Sequence, residues 1–148
     1  DVATIASYQG QLKQNPGYKI GLDFPELPED ESECQVFGNS HLLHSAIRNI
    51  MENGCKYSPD NTVEIRLVFL GNETQLIFLN KSDFIPADEV SNLFEPFYRS
   101  NNAEGKPGTG LGLTLTRRII SLHKGQLTVQ SDTENGTSFI VTLPTLKK

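Results

Sequence analysis

The stretch RNIMENGCKYSP, residues 48–59, is the part of the sequence that most strongly determines the fold. Residues 41–56, placed on a helix at about 100° per residue, separate their polar and apolar side chains onto different faces. The apolar arc contains Leu43, Ile47, Ile50, Met51 and Gly54. Asn49, Asn53 and Lys56 fall within roughly 60° of one another elsewhere on the helix. The pattern predicts a helix that packs on a sheet through one face.

The polar stripe of this helix has the chemistry of a site for a metal ion and phosphates. Carboxamide oxygens, such as those of Asn49 and Asn53, suit Mg²⁺, a cation that keeps most of its waters and is shared with substrate phosphates. An ammonium one turn further on, at Lys56, suits the phosphates themselves. The alternative is a solvated helix face, and the stripe alone does not decide between the two.

A glycine-rich segment, GTGLGL at residues 108–113, precedes a second predicted helix. Glycines let backbone N–H groups approach a phosphate at the positive end of a helix, although a flexible loop has the same composition. The segment is not a dinucleotide GxGxxG motif, because Leu113 occupies the last glycine position, and no Gly-Lys-Ser/Thr follows as in a Walker A loop. The predicted apolar stripe of this helix is Leu111, Leu115, Ile119 and Leu122.

Periodicity and turn residues give the order of the elements. Strands are predicted at 19–24, 34–37, 62–70, 73–79, 126–131 and 137–143, and helices at 41–53, 87–93 and 110–123. This order predicts an α/β two-layer sandwich, with helices packed on one face of a mixed, mostly antiparallel sheet. Residues 1–17 are interpreted as a linker or tail from a preceding domain, and residues 18–148 as the domain itself.

Composition excludes several classes of protein. The chain has 148 residues and a net charge of -5, from 13 Lys+Arg against 18 Asp+Glu, which argues against nucleic acid as a partner. Its apolar runs are far shorter than the ~20 residues of a membrane-spanning helix, so no direct membrane contact is expected. Cys34 and Cys55 lack a CxxC spacing, which favours free thiols over a single disulfide.

Several segments, in this order and spacing, resemble the sequence boxes of sensor histidine kinases. Residues 48–59 resemble the N box, LFEPFYR at 93–99 the F box, GTGLGL at 108–113 the G2 box, and GTSF at 136–139 the C-terminal end of the domain. The resemblance implies the Bergerat ATP-binding fold, which these kinases share with gyrase-type topoisomerases, heat-shock chaperones and mismatch-repair ATPases.

By this resemblance, Asn49 and Asn53 would hold the metal, and Asn49, Lys56 and Arg99 would act on the phosphates. The other nucleotide contacts implied are Asn53, Tyr57, Asn80, Ile85, Phe94, Phe97, Lys106, Gly108, Thr109, Gly110, Leu111, Gly112, Leu113 and Thr137. One box departs from the family pattern Asp-x-Gly-x-Gly-Ile-Pro. This chain has NKSDFIP at 80–86, so Asn80 replaces the acidic residue that reads adenine, and Ser82 and Phe84 replace two glycines.

The function implied is that of a catalytic domain that binds ATP and Mg²⁺ in two-component signal transduction. It would donate the γ-phosphoryl group to a histidine on a separate dimerisation and phosphotransfer domain of the same protein, with a response regulator receiver domain as the further partner. The domain would be cytoplasmic, in a membrane-anchored bacterial sensor. His41, His44 and His123 lack the setting of an acceptor histidine, so they are predicted to be structural and the isolated chain is not expected to phosphorylate itself.

Two alternatives differ in class from a kinase domain. The first is a degenerate interaction module of the same fold with weak or no nucleotide binding, which the Asn80 and Phe84 replacements favour. The second is a gyrase-type or chaperone-type ATPase, which the resemblance disfavours because those proteins carry an acidic residue where Asn49 stands.

Overall fold

A computed structural model describes residues 19–23, 25–57, 62–80, 112–132 and 136–147. Within these ranges, five strands and two α-helices are formed. They are β1 (Lys19–Asp23), α1 (Ser40–Tyr57), β2 (Thr62–Phe69), β3 (Glu73–Asn80), α2 (Gly112–Leu122), β4 (Gln126–Asp132) and β5 (Gly136–Pro144). A short 3-10 turn at Glu31–Glu33 precedes α1. Neither helix is long and apolar enough to cross a membrane.

The described strands form one mixed sheet in the order β1-β2-β3-β5-β4. β1 pairs in parallel with β2, and the remaining neighbours pair antiparallel. The two hairpins turn at glycines with positive φ, Gly71 at 82° and Gly136 at 78°, a conformation that glycine adopts without a steric penalty. The expected mixed, mostly antiparallel sheet is confirmed.

Both helices lie on one face of this sheet. Alternate residues of β2, β3 and β5 are buried under them, as expected for strands that have one covered face. α1 packs on β1, β2 and β3, whereas α2 packs on α1 and β4. The core side chains are Leu43, Ala46, Ile47, Ile50, Met51, Val63, Ile65, Leu67, Leu76, Phe78, Ile120, Leu127, Phe139, Val141 and Leu143. The predicted apolar arc of α1 is therefore the buried one.

The strand predicted at 34–37 is wrong. The Asp30 carboxylate accepts hydrogen bonds from the backbone N–H and the hydroxyl of Ser32, at 3.0 and 2.6 Å, and so caps the 3-10 turn instead. Cys34 ends that turn in an αR conformation, with its N–H bonded to the carbonyl of Glu31, and its side chain is buried as a free thiol. Phe37 points outward, with 88% of its surface exposed.

The two helices also differ from their predicted forms. α1 runs four residues past the predicted end at Asn53, and Gly54 within this extension packs closely against β2. The apolar stripe predicted for α2 is only partly its buried face: Ile119 packs against the core, whereas Leu115 and Leu122 are 54% and 68% exposed. The side of α2 that faces inward carries Thr116 and Ile120, because α2 packs on α1 as well as on the sheet.

The remaining element boundaries agree with the predictions to within one or two residues. The predicted tail at 1–17, the short helix at 87–93 and the loop at 101–109 lie outside the described residues.

Candidate functional site

A row of polar side chains crosses one end of the helix-covered face of the sheet. Asn80 is the last residue of β3 and pairs across the strands with Thr137 of β5, which pairs in turn with Ser131 of β4. Asn80 and Thr137 are 6% and 1% exposed, on the same face as Phe78 and Phe139. The apolar interior therefore ends, at this edge, in amide and hydroxyl groups.

Asn80 has a fixed orientation. Its Nδ2 donates a hydrogen bond of 3.1 Å to the carbonyl oxygen of Gly54, in the last turn of α1. That bond settles which end of the amide is the nitrogen, because only Nδ2 can donate to a carbonyl. Oδ1 is then the remaining acceptor. It is buried, and within the described residues it is the one buried side-chain polar atom that has no hydrogen-bond partner.

Gly54 brings the last turn of α1 close enough for this bond. A Cβ at this position would lie 2.8 Å from Cγ2 of Val63, at the start of β2. A side chain here would push the helix end away from the sheet, and with it the carbonyl that Asn80 binds. Gly54 falls on the apolar arc of the sequence wheel, but its role as the partner of Asn80 was not predicted.

The hydroxyl group of Thr137 lies next to Asn80, and that of Ser131 lies next to Thr137 on the following strand. Their oxygens are 3.2 Å apart, within hydrogen-bonding distance, and either can be the donor. Side chains directly opposite each other on antiparallel strands are neighbours, which places Thr137 beside the carboxamide of Asn80. The sequence did not predict that Ser131 belongs to this polar row, because only the register of β4 with β5 places it beside Thr137.

Asn49 and Asn53 lie on the side of α1 that faces α2. Both are half-buried, one helical turn apart. Nδ2 of Asn49 donates a long hydrogen bond of 3.4 Å to the hydroxyl of Thr116 in α2, which directs Oδ1 of the amide the other way. Thr116 is a further residue that sequence reasoning missed.

α2 runs antiparallel to α1. The beginning of α1 contacts the end of α2, since the N–H of Asn39 donates to Nε2 of His123 over 3.0 Å, and Asn49 further along α1 contacts Thr116 nearer the start of α2. The N-terminal turn of α2 therefore lies beside the half of α1 that carries Asn53. The first turn of a helix has backbone N–H groups without intrahelical partners and carries the positive end of the helix dipole. Both features favour the binding of an anion.

The structure brings only part of the predicted site together. It describes Asn49, Asn53, Asn80, Leu113 and Thr137 with their side chains, and Lys56, Tyr57 and Gly112 as part of their helices. Leu113 is half-buried against the core. The other predicted residues, Ile85, Phe94, Phe97, Arg99, Lys106, Gly108, Thr109, Gly110 and Leu111, lie outside the described residues.

Within the part of the chain that the structure describes, the groups whose pKa is shifted lie at the opposite end of β3, near Thr74. The pKa of Lys147 is raised, first by its hydrogen bond to Glu33 (Nζ to Oε1, 2.6 Å) and then by the attraction between the two charges. Hydrogen bonds from Ser32 lower the pKa of Asp30, and burial raises that of the Cys34 thiol. Thr74 ties β3 to this cluster by donating to the carbonyl of Glu33 over 3.1 Å. These pKa shifts arise from contacts that hold the 3-10 turn against β3 and the end of the chain, away from the polar row.

Comparison with solved structures identifies the class of fold. The structure of the mycobacterial sensor histidine kinase MprB superimposes with a TM-score of 0.79, at 23% sequence identity, over 100% of this chain and 97% of that one. The fold is therefore that of a histidine kinase catalytic domain, with two helices on an open mixed sheet.

Sequence comparison gives the family. The model of the "Histidine kinase-, DNA gyrase B-, and HSP90-like ATPase" family matches residues 38–147, and the chain belongs to this family. Over 131 residues the chain is 40% identical to the heme sensor protein HssS of Staphylococcus haemolyticus, covering 85% of this chain and 28% of that protein. It is 38% identical over 122 residues to the adaptive-response sensory kinase SasA of Microcystis aeruginosa, covering 80% and 31%.

The chain thus spans about a third of the length of these relatives. Together, the family and the fold establish an ATP-binding catalytic domain of the sensor histidine kinase type. This agrees with the resemblance of the three sequence boxes.

Proposed function

We propose that this domain binds Mg-ATP across the polar end of the sheet and donates the γ-phosphoryl group to a histidine on a separate dimerisation domain. The observation that carries the proposal is the buried acceptor Oδ1 of Asn80, which has no partner among the described residues. A buried polar atom left without a hydrogen bond costs about 1–3 kcal/mol, and a ligand that donates to it removes that cost.

The exocyclic amino group of adenine is a donor of the required kind. Asn80 would accept from it through Oδ1, while Thr137 on the neighbouring strand offers a hydroxyl to the ring. Tyr57 and Ile85 are proposed to flank the base. The base would thus lie at the end of the helix-covered face of the sheet, where the apolar core side chains give way to the polar row.

The phosphates would lie between α1 and the start of α2. Asn49 and Asn53 present carboxamides on one side, and the N-terminal turn of α2 supplies backbone N–H groups on the other. These two asparagines would hold Mg²⁺, whose positive charge would neutralise phosphate oxygens. Lys56, Arg99 and Lys106 are proposed as further phosphate contacts, each contributing a positive charge.

The glycine-rich segment and the F box are proposed to close over the nucleotide. Gly108, Thr109, Gly110, Leu111, Gly112 and Leu113 would contact the phosphates through backbone amides, while Phe94 and Phe97 would anchor the lid. The proposal is supported for Leu113 by its place at the start of α2, directly after Gly112, with its side chain half-buried against the core.

In the whole protein, this domain would act on an acceptor histidine that lies on a separate domain. A ring nitrogen of the acceptor histidine attacks the γ-phosphorus, the bond to the bridging oxygen breaks, and ADP leaves. The dimerisation domain would be covalently part of the same protein, a receiver domain would take the phosphoryl group next, and a membrane anchor elsewhere in that protein would leave this domain in the cytoplasm.

Calorimetric titration of ATP tests the site. We expect binding in excess Mg²⁺ and a loss of affinity when the metal is chelated, because the carboxamides of Asn49 and Asn53 carry no charge to neutralise a triphosphate. Asn53→Ala should weaken Mg-ATP binding at least tenfold, whereas His41→Ala, an exposed change on the same helix, should not. If both variants bind like the parent chain, the polar stripe is only a solvated face.

Radiolabelled ATP tests the phosphoryl transfer. The isolated chain should take up no acid-labile, base-stable label, whereas the dimerisation domain of the same protein, added in trans, should become labelled. Label on the isolated chain that disappears in a His41→Gln or His44→Gln variant would contradict the structural assignment of these histidines. A chain that folds but binds no nucleotide would instead be the degenerate interaction module.

A further inference from the structure

The bond between Asn80 and Gly54 has a consequence for the residue type that this site can use. Asn80 donates from Nδ2 to a carbonyl in the last turn of α1, where the C-terminal end of the helix dipole is negative. A carboxylate has no hydrogen to donate, and its charge would face both the carbonyl and the negative helix end. The position therefore favours an amide over an acid in this chain.

We propose that Asn80 is a positioning residue that ties the last turn of α1 to the base-binding end of the sheet, and that its amide cannot be replaced by a carboxylate. The inference rests on the proposed function, because it takes Oδ1 as the acceptor for the nucleotide base. One amide does both tasks: Nδ2 holds the helix, and this bond aims Oδ1 at the base.

The position of α1 matters because the helix also carries the phosphate end of the site. Asn53 immediately precedes Gly54, and Asn49 lies one turn earlier, in contact with Thr116. A hypothetical Cβ on Gly54 would lie 2.8 Å from Cγ2 of Val63, so the last turn of α1 packs tightly against β2 in the position that the Asn80 bond holds. Loss of the Asn80 bond would therefore shift the carboxamides that face the phosphates as well as the base acceptor.

The test substitutes Asp for Asn at position 80 and compares two nucleotides. ATP presents an amino group at C6 of the purine, whereas ITP presents an oxygen acceptor there. The parent chain should bind Mg-ATP about tenfold more tightly than Mg-ITP, because the amino group of ATP donates a hydrogen bond to Oδ1 of Asn80 whereas the oxygen of ITP would face it as a second acceptor. Asn80→Asp should bind Mg-ATP at least tenfold more weakly than the parent, and its unfolding equilibrium constant in urea should rise about 10- to 100-fold.

Two further variants separate the tasks. Gln130→Glu makes the same amide-to-acid change at an exposed position of β4, and should alter neither stability nor nucleotide affinity. Asn80→Ala removes donor and acceptor without adding charge, so the preference for ATP over ITP should fall to about one. A residue with a purely structural role would change affinity for both nucleotides alike and leave that ratio intact.

The outcomes distinguish this inference from the proposed function. An Asn80→Asp variant that is as stable as the parent, or binds Mg-ATP equally well or better, overturns the positioning role. Retention of the ATP preference in Asn80→Ala overturns base recognition by Oδ1 even if the chain binds ATP. Absence of binding of either nucleotide to the parent chain refutes the proposed function, and the inference with it, whereas the urea measurement still reports on the bond to Gly54.

Discussion

His123 joins the two helices at the end of the domain away from Asn80, and its removal should be costly. Its ring is buried, Nδ1 donates to the carbonyl of Ile119 over 2.8 Å, and Nε2 accepts from the N–H of Asn39 over 3.0 Å. Asn39 is itself the N-cap of α1, with its Oδ1 3.1 Å from the N–H of Leu42. Gly38 packs directly against the imidazole and leaves no room for a side chain.

The cost of His123→Ala follows from these contacts. The N–H of Asn39 loses its acceptor in a partly buried hydrogen bond, which costs about 1–3 kcal/mol, and the space left by the ring adds about 1 kcal/mol. We expect a total loss of about 2–4 kcal/mol. In urea denaturation followed by circular dichroism, this corresponds to a fall of about 1–2 M in the midpoint at an unchanged slope.

Matched variants make this prediction specific. His123→Gln keeps an acceptor that can reach the N–H of Asn39, so its stability should lie between those of the parent and His123→Ala. His41→Ala changes an exposed histidine of α1 and should stay within about 0.5 kcal/mol of the parent. A midpoint for His123→Ala that matches that of His41→Ala would refute the role of His123 as a link between the helices.

Three further outcomes are expected. Gly125→Ala should lower stability by about 1–3 kcal/mol in urea titration, because its Cβ would meet the backbone carbonyl oxygen of Thr142. The Cys34 thiol should react slowly with a thiol reagent at pH 8 and faster only as the pH passes its raised pKa. Since the hydrogen bond to Glu33 raises the pKa of Lys147, its small stabilisation is fully present below about pH 10.5, the ordinary value, and is lost as the pH rises through the raised pKa. Thermal unfolding of Lys147→Gln and of the parent should therefore differ at pH 8 and converge near pH 12.

Each of these has a simple control. Gly21→Ala should leave stability unchanged or slightly raised, since no atom lies within 4 Å of the added Cβ. Cys34 labelling, in a variant without the other cysteine, should become fast when the chain is unfolded in urea. The expectation for Cys34 would be contradicted by equal labelling rates in the folded and unfolded chain, and that for Gly125 by a Gly125→Ala variant as stable as the parent. The expectation for Lys147 would be contradicted by a stability difference between Lys147→Gln and the parent that persists near pH 12.

Most of the sheet could be predicted because its signals are local. Strands β2, β3 and β5 alternate between apolar and polar residues, and glycines with positive φ mark the turns of both hairpins. α1 was predicted for the same reason, since its apolar arc repeats with the helical period and matches the buried face. The face of α2 was predicted only in part, for Ile119, because the largest apolar side chains of a short helix need not be the buried ones when the helix packs on another helix.

The α/β sandwich, the polar stripe of α1 and, through three boxes in order, the family could all be predicted from the amino-acid sequence. How these parts meet depends on the packing of the folded chain. The pairing of Asn80 with Thr137 follows from strand register, and the bond from Asn80 to Gly54 joins groups 26 residues apart. Contacts of this kind depend on how helix and sheet pack together, and packing distances are not encoded in the local periodicity from which the elements were predicted.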